Sequence, residues 1–243
     1  MPHRRSRLFD IPSVKPIVHR FETVDSTQEQ ARRLLRIGEA TAGHVILAEE
    51  QRAGRGRFGR SWSSPRGGFY ASFVIEPRPI PSIVAGLAVG EALDGAGLRT
   101  RLKWPNDVTV EGRKIAGVLI ESAGRVLIVG IGVNVDEAPI PQATSARAWG
   151  VRIDRDRLVE ELWRALHAPV AVDEALHAYR ARCETIGQFV RLVHGRGTAF
   201  EGVAVGVDAE GRLVVQSSSG RRSFASADFG HVEKAVDEND WRS

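Results

Sequence analysis

Apolar residues in this chain fall in short runs separated by glycine, proline and charge, and the runs differ in period. Residues 16–24 (PIVHRFETV) predict a strand, and Asp25-Ser26-Thr27 after them predict the start of a helix. Asp25 or Ser26 can cap that helix, Ala31, Leu34 and Leu35 mark its apolar stripe, and Gly38 ends it. Residues 44–51 (HVILAEEQ) form an apolar run of strand length. The segment 52–68 holds five glycines and almost nothing to bury, so it predicts a long loop, and loops of that length are usually functional. A strand at 69–76 and a helix at 81–97 led by Pro81 come next. Short strands at 99–104 and 107–110 then flank Pro105-Asn106, with a turn at Glu111-Gly112. The runs 114–122 and 126–135 predict a hairpin about Ala123-Gly124, and their near-continuous apolar character places them centrally in a sheet. Helical spacing returns at 154–166 and 172–183.

From Gly187 the texture changes to short strands at 188–194, 197–207, 212–217 and 221–225, turning at His194-Gly195, Glu210-Gly211 and Ser219-Gly220. A stretch of this kind predicts a small β-barrel rather than more of the first sheet. The expected architecture is α+β, with a mixed β-sheet domain carrying packed helices at 16–185 and the barrel at 187–235. A basic tail at 1–15 and a second tail at 236–243 complete it.

Composition narrows the class. With 42% hydrophobic and 26% charged residues, and a mean hydropathy of −0.19, the 243-residue chain is neither disordered nor fibrous. No apolar run reaches the roughly 18 residues of a membrane span, and 1–15 lacks the apolar core of a secretory signal. Cys183 is the only cysteine, which excludes an internal disulfide and a multi-cysteine metal site. The expectation is a cytoplasmic protein. A net charge of +4 invites a nucleic-acid reading, but the 30 arginines are scattered and interleaved with 30 acids. Lysine occurs only at 15, 103, 114 and 234, and the one true basic cluster is Arg52, Arg55, Arg57 and Arg60.

Three segments carry more chemistry than packing requires. In residues 51–62 (QRAGRGRFGRSW) glycine lets backbone approach a ligand, successive N–H groups can make an anion nest, and arginines add bidentate donors. The segment fits neither the P-loop nor the dinucleotide-binding pattern; a solvated basic loop or an RNA-binding patch are its other readings. In Lys103-Trp104-Pro105-Asn106-Asp107 the proline forces an extended or turn conformation and aims Asn106 and Asp107 out of the sheet. Seven residues later Lys114 opens an apolar strand, either as an edge solubiliser or as a point charge on an anionic substrate. Asp107 is a turn residue or a Mg²⁺ ligand near phosphates. Asp25-Ser26-Thr27 alone reads as a simple N-cap.

In order, GRGRFGR-W (54–62), KWPND (103–107), KIAGVLIE (114–121) and GIGVNV (130–135) resemble the signatures of the biotin–protein ligase family, whose members biotinylate acyl-CoA carboxylases. The resemblance covers about residues 21–135, with a weaker echo in the C-terminal barrel. It implies a class II synthetase-like (lipoate–biotin ligase) catalytic fold and an SH3-like barrel. The implied enzyme joins biotin to ATP as biotinyl-5′-AMP, releasing pyrophosphate. It then passes biotin to a lysine of the biotin carboxyl carrier domain of an acyl-CoA carboxylase. Two departures stand out: Gln28 where the family often has asparagine, which could alter a hydrogen bond to biotin, and Phe58 where a basic residue is common.

By the same resemblance, Ser26, Thr27, Gln28 and Gln51 bind the ureido ring of biotin. Arg55, Gly56 and Arg57 fold over its carboxylate and the adenylate phosphate, and Lys114 bridges the two. Trp62 stacks on adenine, Asn134 contacts the nucleotide, and Asp107 holds Mg²⁺ or orients the incoming lysine. Lys114, Arg57 and Asp107 form the implied catalytic set; positioning and electrostatics suffice, so no protein nucleophile is required. A lipoate–protein ligase is the rival enzyme, and a biotin-responsive DNA-binding repressor the rival of another class. About 15 residues before the first strand leave no room for a winged helix, so the expectation is the type without a DNA-binding domain. The expected partners are biotin, ATP and the carrier domain, with no specific nucleic acid and no membrane. A homodimer is left open.

Overall fold

In the computed structural model, which describes residues 15–194, 198–225 and 231–234, the apolar runs of the first half pair into one mixed sheet. Its strands are β1 (Ile17–Val24), β2 (His44–Gln51), β3 (Phe69–Ile75), β4 (Arg101–Lys103), β5 (Asp107–Val110), β6 (Arg113–Ala123) and β7 (Val126–Val133). Their spatial order is β1-β2-β3-β7-β6-β5-β4. Helix α1 (Thr27–Arg36) carries the chain back so that β1 and β2 run parallel; every other neighbouring pair is antiparallel.

The pleat sorts residues onto two faces. On one, Phe69, Ala71 and Phe73 of β3 and Val129, Ile131 and Val133 of β7 share a core with α2 (Pro81–Gly95), α3 (Arg155–His167) and α4 (Val172–Arg182). On the other, α1 lays Ala31 and Leu34 on Ile46, Val74 and Ile128. Beyond that small cluster the second face runs out of side chains, because Gly130 and Gly132 of β7 and Gly117 of β6 follow. This patch, bare of the sheet's own side chains, is approached by Gln28 and Trp62 from neighbouring segments and floors a cavity.

A second, antiparallel sheet contains β8 (Phe189–His194), β9 (Thr198–Val207), β10 (Leu213–Ser217), β11 (Gly220–Phe224) and β12 (His231–Lys234), in the order β11-β10-β9-β8-β12. Its apolar side, including Val190, Leu192, Leu213 and Val215, merges with the main core. Trp104 Nε1 donates to the Gly211 carbonyl at 3.0 Å and Arg180 Nε to that of Val207 at 2.7 Å, so the KWPND segment is tied to the second sheet.

Several expectations change. Ser26 stands at the N-cap position of α1 but makes no capping bond through its side chain, because that side chain is buried toward the bare patch. Asp25 pairs instead with Arg33 at 3.6 Å. The strand expected at 99–104 shrinks to three residues: the Thr100 N–H is taken by Asp94 Oδ1 and the Trp104 N–H by Thr185 Oγ1, both side chains rather than a neighbouring strand. Segment 52–68 is not structureless. It folds back through a single 3₁₀ turn at Arg57–Gly59, with isolated bridges from Gln51 to Ser64 and from Arg55 to Ser61. Strand β12 has no counterpart in the sequence reading, since HVEK carries little apolar pattern and is recruited by pairing with β8. The tails expected at 1–15 and 236–243, apart from Lys15, lie outside the described residues, as do Gly195 and Gly197. Among the described residues no helix is long and apolar enough to cross a membrane.

Candidate active site

A cavity of about 560 Å³ lies over the glycine floor, walled by the start of α1, the folded-back 52–64 flap, strands β5 to β7 and residues 139–143. The glycines are required by space. A Cβ on Gly132 would lie 2.5 Å from Trp62 Nε1, and one on Gly130 would lie 3.0 Å from Gln28 Cδ. In β7 (VLIVGIGV) glycine at alternate positions clears one face while valine and isoleucine fill the other.

One end of the cavity is uncharged and polar. Thr27 donates to Gln51 Oε1 from its backbone N–H (2.8 Å) and its hydroxyl (3.1 Å), and Gln51 Nε2 donates to Ser64 Oγ at 2.8 Å. Ser72 Oγ stands 2.9 Å from both Thr27 Oγ1 and Gln28 Oε1. Gln28 Nε2 donates to Glu121 Oε2 at 2.9 Å, so the longer glutamine is held by the protein itself. Ser26 Oγ, by contrast, is buried with no hydrogen-bond partner, as is Trp62 Nε1. Buried polar atoms without partners are costly, and inside a cavity they point to a ligand that supplies them.

The other end is charged. Lys114 Nζ lies 2.6 Å from Asp107 Oδ1 and 5.1 Å from the centroid of the Trp62 ring. Arg57 Nη1 donates to Asn106 Oδ1 at 3.2 Å, and Asn106 Nδ2 donates to the Val118 carbonyl at 2.8 Å. Burial pushes the Arg57 guanidinium below its ordinary value, with Arg60 adding to the shift. Its ring neighbour is Phe58, 4.9 Å away and held with φ at 55° at the flap's tip. Arg55 has other partners, Glu29 at 3.6 Å and Glu121 at 3.8 Å. The Gly56 N–H closes the flap's turn onto the Arg60 carbonyl at 2.7 Å. Asn134 is buried and donates from Nδ2 to the Thr144 carbonyl at 3.1 Å, which fixes the loop beside the cavity. Among the described lining residues, Arg55, Arg57, Arg60, Lys103 and Lys114 face a single acid, Asp107, so the wall favours an anion of several charges.

Every residue expected at the site, from Ser26 to Asn134, therefore lines one cavity. Absent from the sequence reading were Asn106 as a ligand of Arg57, the glycine floor, residues 139–143, and Glu29 and Glu121 behind the ring end. The alternate glycines of GIGVNV were a usable signal for the floor. For Glu121, the last letter of KIAGVLIE, only the register of β6 against α1 supplies a role. Whether the residues suit Mg²⁺ can be judged from the donors: among the described residues no group of three or more His, Cys, Asp or Glu side chains is arranged for a metal. Asp107 alone, with one oxygen against Lys114, suits a Mg²⁺ that brings phosphate oxygens and waters of its own.

The sequence profile of the biotin/lipoate A/B protein ligase family matches residues 20–136, and that of the biotin protein ligase C-terminal domain matches 185–232. The chain is 36% identical over 214 residues to the biotin–[acetyl-CoA-carboxylase] ligase of Mycobacterium tuberculosis, spanning 78% of this chain and 79% of that protein. It is 34% identical over 218 residues to the bifunctional ligase/repressor BirA of Escherichia coli, covering 79% and 67% of the two. The structure of the biotin protein ligase from Aquifex aeolicus in complex with biotin and ATP superposes with a TM-score of 0.76 at 29% identity, over 90% of this chain and 99% of that one. The chain belongs to the biotin/lipoate A/B protein ligase family.

Proposed function

We propose that this protein is an ATP-dependent biotin–protein ligase, which makes biotinyl-5′-AMP and transfers biotin to a lysine of the carrier domain of an acyl-CoA carboxylase. The observation that carries the reading is the cavity's polarity: a buried, partnerless Ser26 hydroxyl at one end, and Lys114 with Arg57 at the other. A ureido ring has a carbonyl and two N–H groups that need partners once buried, whereas the dithiolane ring of lipoate has none. Biotin therefore suits the ring end better than lipoate does. Ser26 and the second N–H of Gln51 Nε2 serve the ring, with Thr27 holding Gln51 in place.

In the first step the biotin carboxylate attacks the α-phosphorus of ATP in line, and pyrophosphate leaves. Two anions must approach, so the site has to offset their repulsion and hold the charge that builds on the transferring phosphorus. Lys114 and Arg57 do this together at the charged end, beside Asp107 and Asn106, and Trp62 offers a flat surface to adenine. Asp107 would be the protein ligand of a Mg²⁺ brought with ATP, which would supply countercharge for the phosphates. In the second step the amine of the carrier lysine attacks the acyl carbonyl and AMP leaves, taking the bonding electron pair. The alternative role for Asp107, in place of holding the metal, is to orient that amine by accepting a hydrogen bond from it. The reading places the enzyme in the cytoplasm with its ATP.

The test is pyrophosphate release from purified protein and ATP, with biotin and separately with lipoate. Release with biotin at well over tenfold the lipoate rate is expected. Equal rates, or release with lipoate alone, would end the biotin assignment.

A further inference from the structure

Arg55 and Arg57 stand two residues apart in the flap, and the family resemblance gives them one task. Their partners differ. Arg57 reaches Asn106 beside Lys114, whereas Arg55 lies between two carboxylates, with Nη1 3.6 Å from Glu29 Oε2 on α1 and Nη2 3.8 Å from Glu121 Oε1 on β6. Glu121 is itself a junction. Its Oε2 accepts from Gln28 Nε2 at 2.9 Å, and its Oε1 pairs with Arg32 at 3.2 Å. Its side chain is 22% exposed, and the adenylation chemistry described above makes no use of it.

We infer that Glu29 and Glu121 are positioning residues that latch the flap through Arg55, and that Glu121 joins this latch to the ring-binding end through Gln28. The inference rests on the biotin-pocket reading. Arg55 shares these acids with two other arginines, Glu29 with Arg36 at 3.6 Å and Glu121 with Arg32 at 3.2 Å, so both carboxylates keep a countercharge when Arg55 lets go. The pairs are also of the right strength for a latch. At 3.6–3.8 Å, with the Arg55 side chain 47% exposed, each is weak and screened by salt. The flap can therefore open for biotin to enter and close over the bound ring. The flap's other tethers, the Arg52 N–H to the Val24 carbonyl and the Ala53 N–H to that of Asp25, lie at its base and leave the tip to Arg55 and Arg57.

The experiment measures biotinyl-AMP retention after dilution for the wild type, Arg55→Gln, Glu121→Gln and the double variant, with Glu29→Gln as an independent probe of the same latch. Each single change should speed release by about 3- to 10-fold, and the double variant should be no faster than the faster single one. Raising the salt should accelerate release more in the wild type than in Arg55→Gln, where only the Arg57 and Lys114 contacts remain to be screened. If Arg55 grips the adenylate directly, the two effects will multiply, which overturns the latch; so does unchanged release from Arg55→Gln. Amide exchange over residues 54–62 in ligand-free protein gives a readout that does not depend on catalysis. It should quicken alike in Arg55→Gln and Glu121→Gln, and unchanged exchange in either overturns the latch. A wild type that makes no biotinyl-AMP would sink the biotin reading, while exchange alone would still decide the latch.

Discussion

Lys114 and Arg57 divide the electrostatic work of the cavity, and their chemistry differs. An ammonium is a compact point charge that can sit between two oxyanions, whereas a guanidinium is a planar fork. Lys114 stands 2.6 Å from Asp107 at the charged end of the cavity. Lys114→Gln should therefore slow biotinyl-AMP formation by about 10²–10³-fold, and Lys114→Arg nearly as much although it keeps the charge. Both should melt with the wild type, because a partly exposed ion pair contributes little to stability. Near-normal pyrophosphate release from Lys114→Arg would return the lysine to the role of an edge solubiliser. For Arg57→Ala, losing charge-assisted bonds to the adenylate should speed its dissociation by about 10- to 150-fold, equivalent to about 1.5–3 kcal/mol. At this scale the sequence was informative where a residue type is chemically singular, as at Lys114. It was silent where the role depends on a partner. Gln28 was expected on biotin, and only the placement of Glu121 explains why its amide is held by the protein.

At the scale of elements, β7 and the flap make the cavity together. The strand's alternate glycines give up packing on one face so that the indole of Trp62 can lie there, flanked by Gly117 and Gly132. Gly132→Ala places a methyl group where the ring now sits, and the ring must move. Biotin affinity measured by calorimetry should fall by about 5- to 150-fold while the fold persists. Equal affinity would mean that Trp62 is free to yield. The flap is glycine-rich and carries like charges, so ligand should order it further. Amide exchange over 54–62 is expected to slow sharply with biotin plus ATP, and equal protection in both states would count against a closing flap. Strand and helix placement was legible because apolar period reports burial. The short elements were less so: β4 and β12 depend on which backbone groups have already found side-chain or strand partners.

For the whole molecule, acid sensitivity follows from histidines the fold keeps neutral. His167, at the end of α3 and stacked on Trp163 at 4.4 Å, has its pKa lowered mainly by burial, partly offset by a bond to the Trp163 carbonyl. His44 is lowered by burial and by His19, whose Nε2 is 2.9 Å from His44 Nδ1. In both cases the unfolded chain takes up the proton first. Stability is thus full above the ordinary value of 6.5 and declines as pH falls below it toward the folded pKa. Melting temperature should hold steady from pH 7 to 8 and drop from about 6.5 downward, and His167→Gln should flatten that slope. An unaltered slope in the variant would remove His167 as a cause.

The sequence by itself determined the order of elements, the change of texture near Gly187 and four motifs whose succession identifies the family. These are local properties: apolar period, turn chemistry and residue type are carried by neighbours along the chain. Tertiary structure alone decided that Ser26 faces a cavity rather than capping a helix, and that Arg55 meets Glu29 and Glu121 while Arg57 meets Asn106. It also decided that the glycines of β6 and β7 share one face. Those facts depend on sheet register and on the path of the flap, which bring together groups as far apart as Gln28 and Glu121. Strand pairing sets that distance, and no spacing within a single segment encodes it.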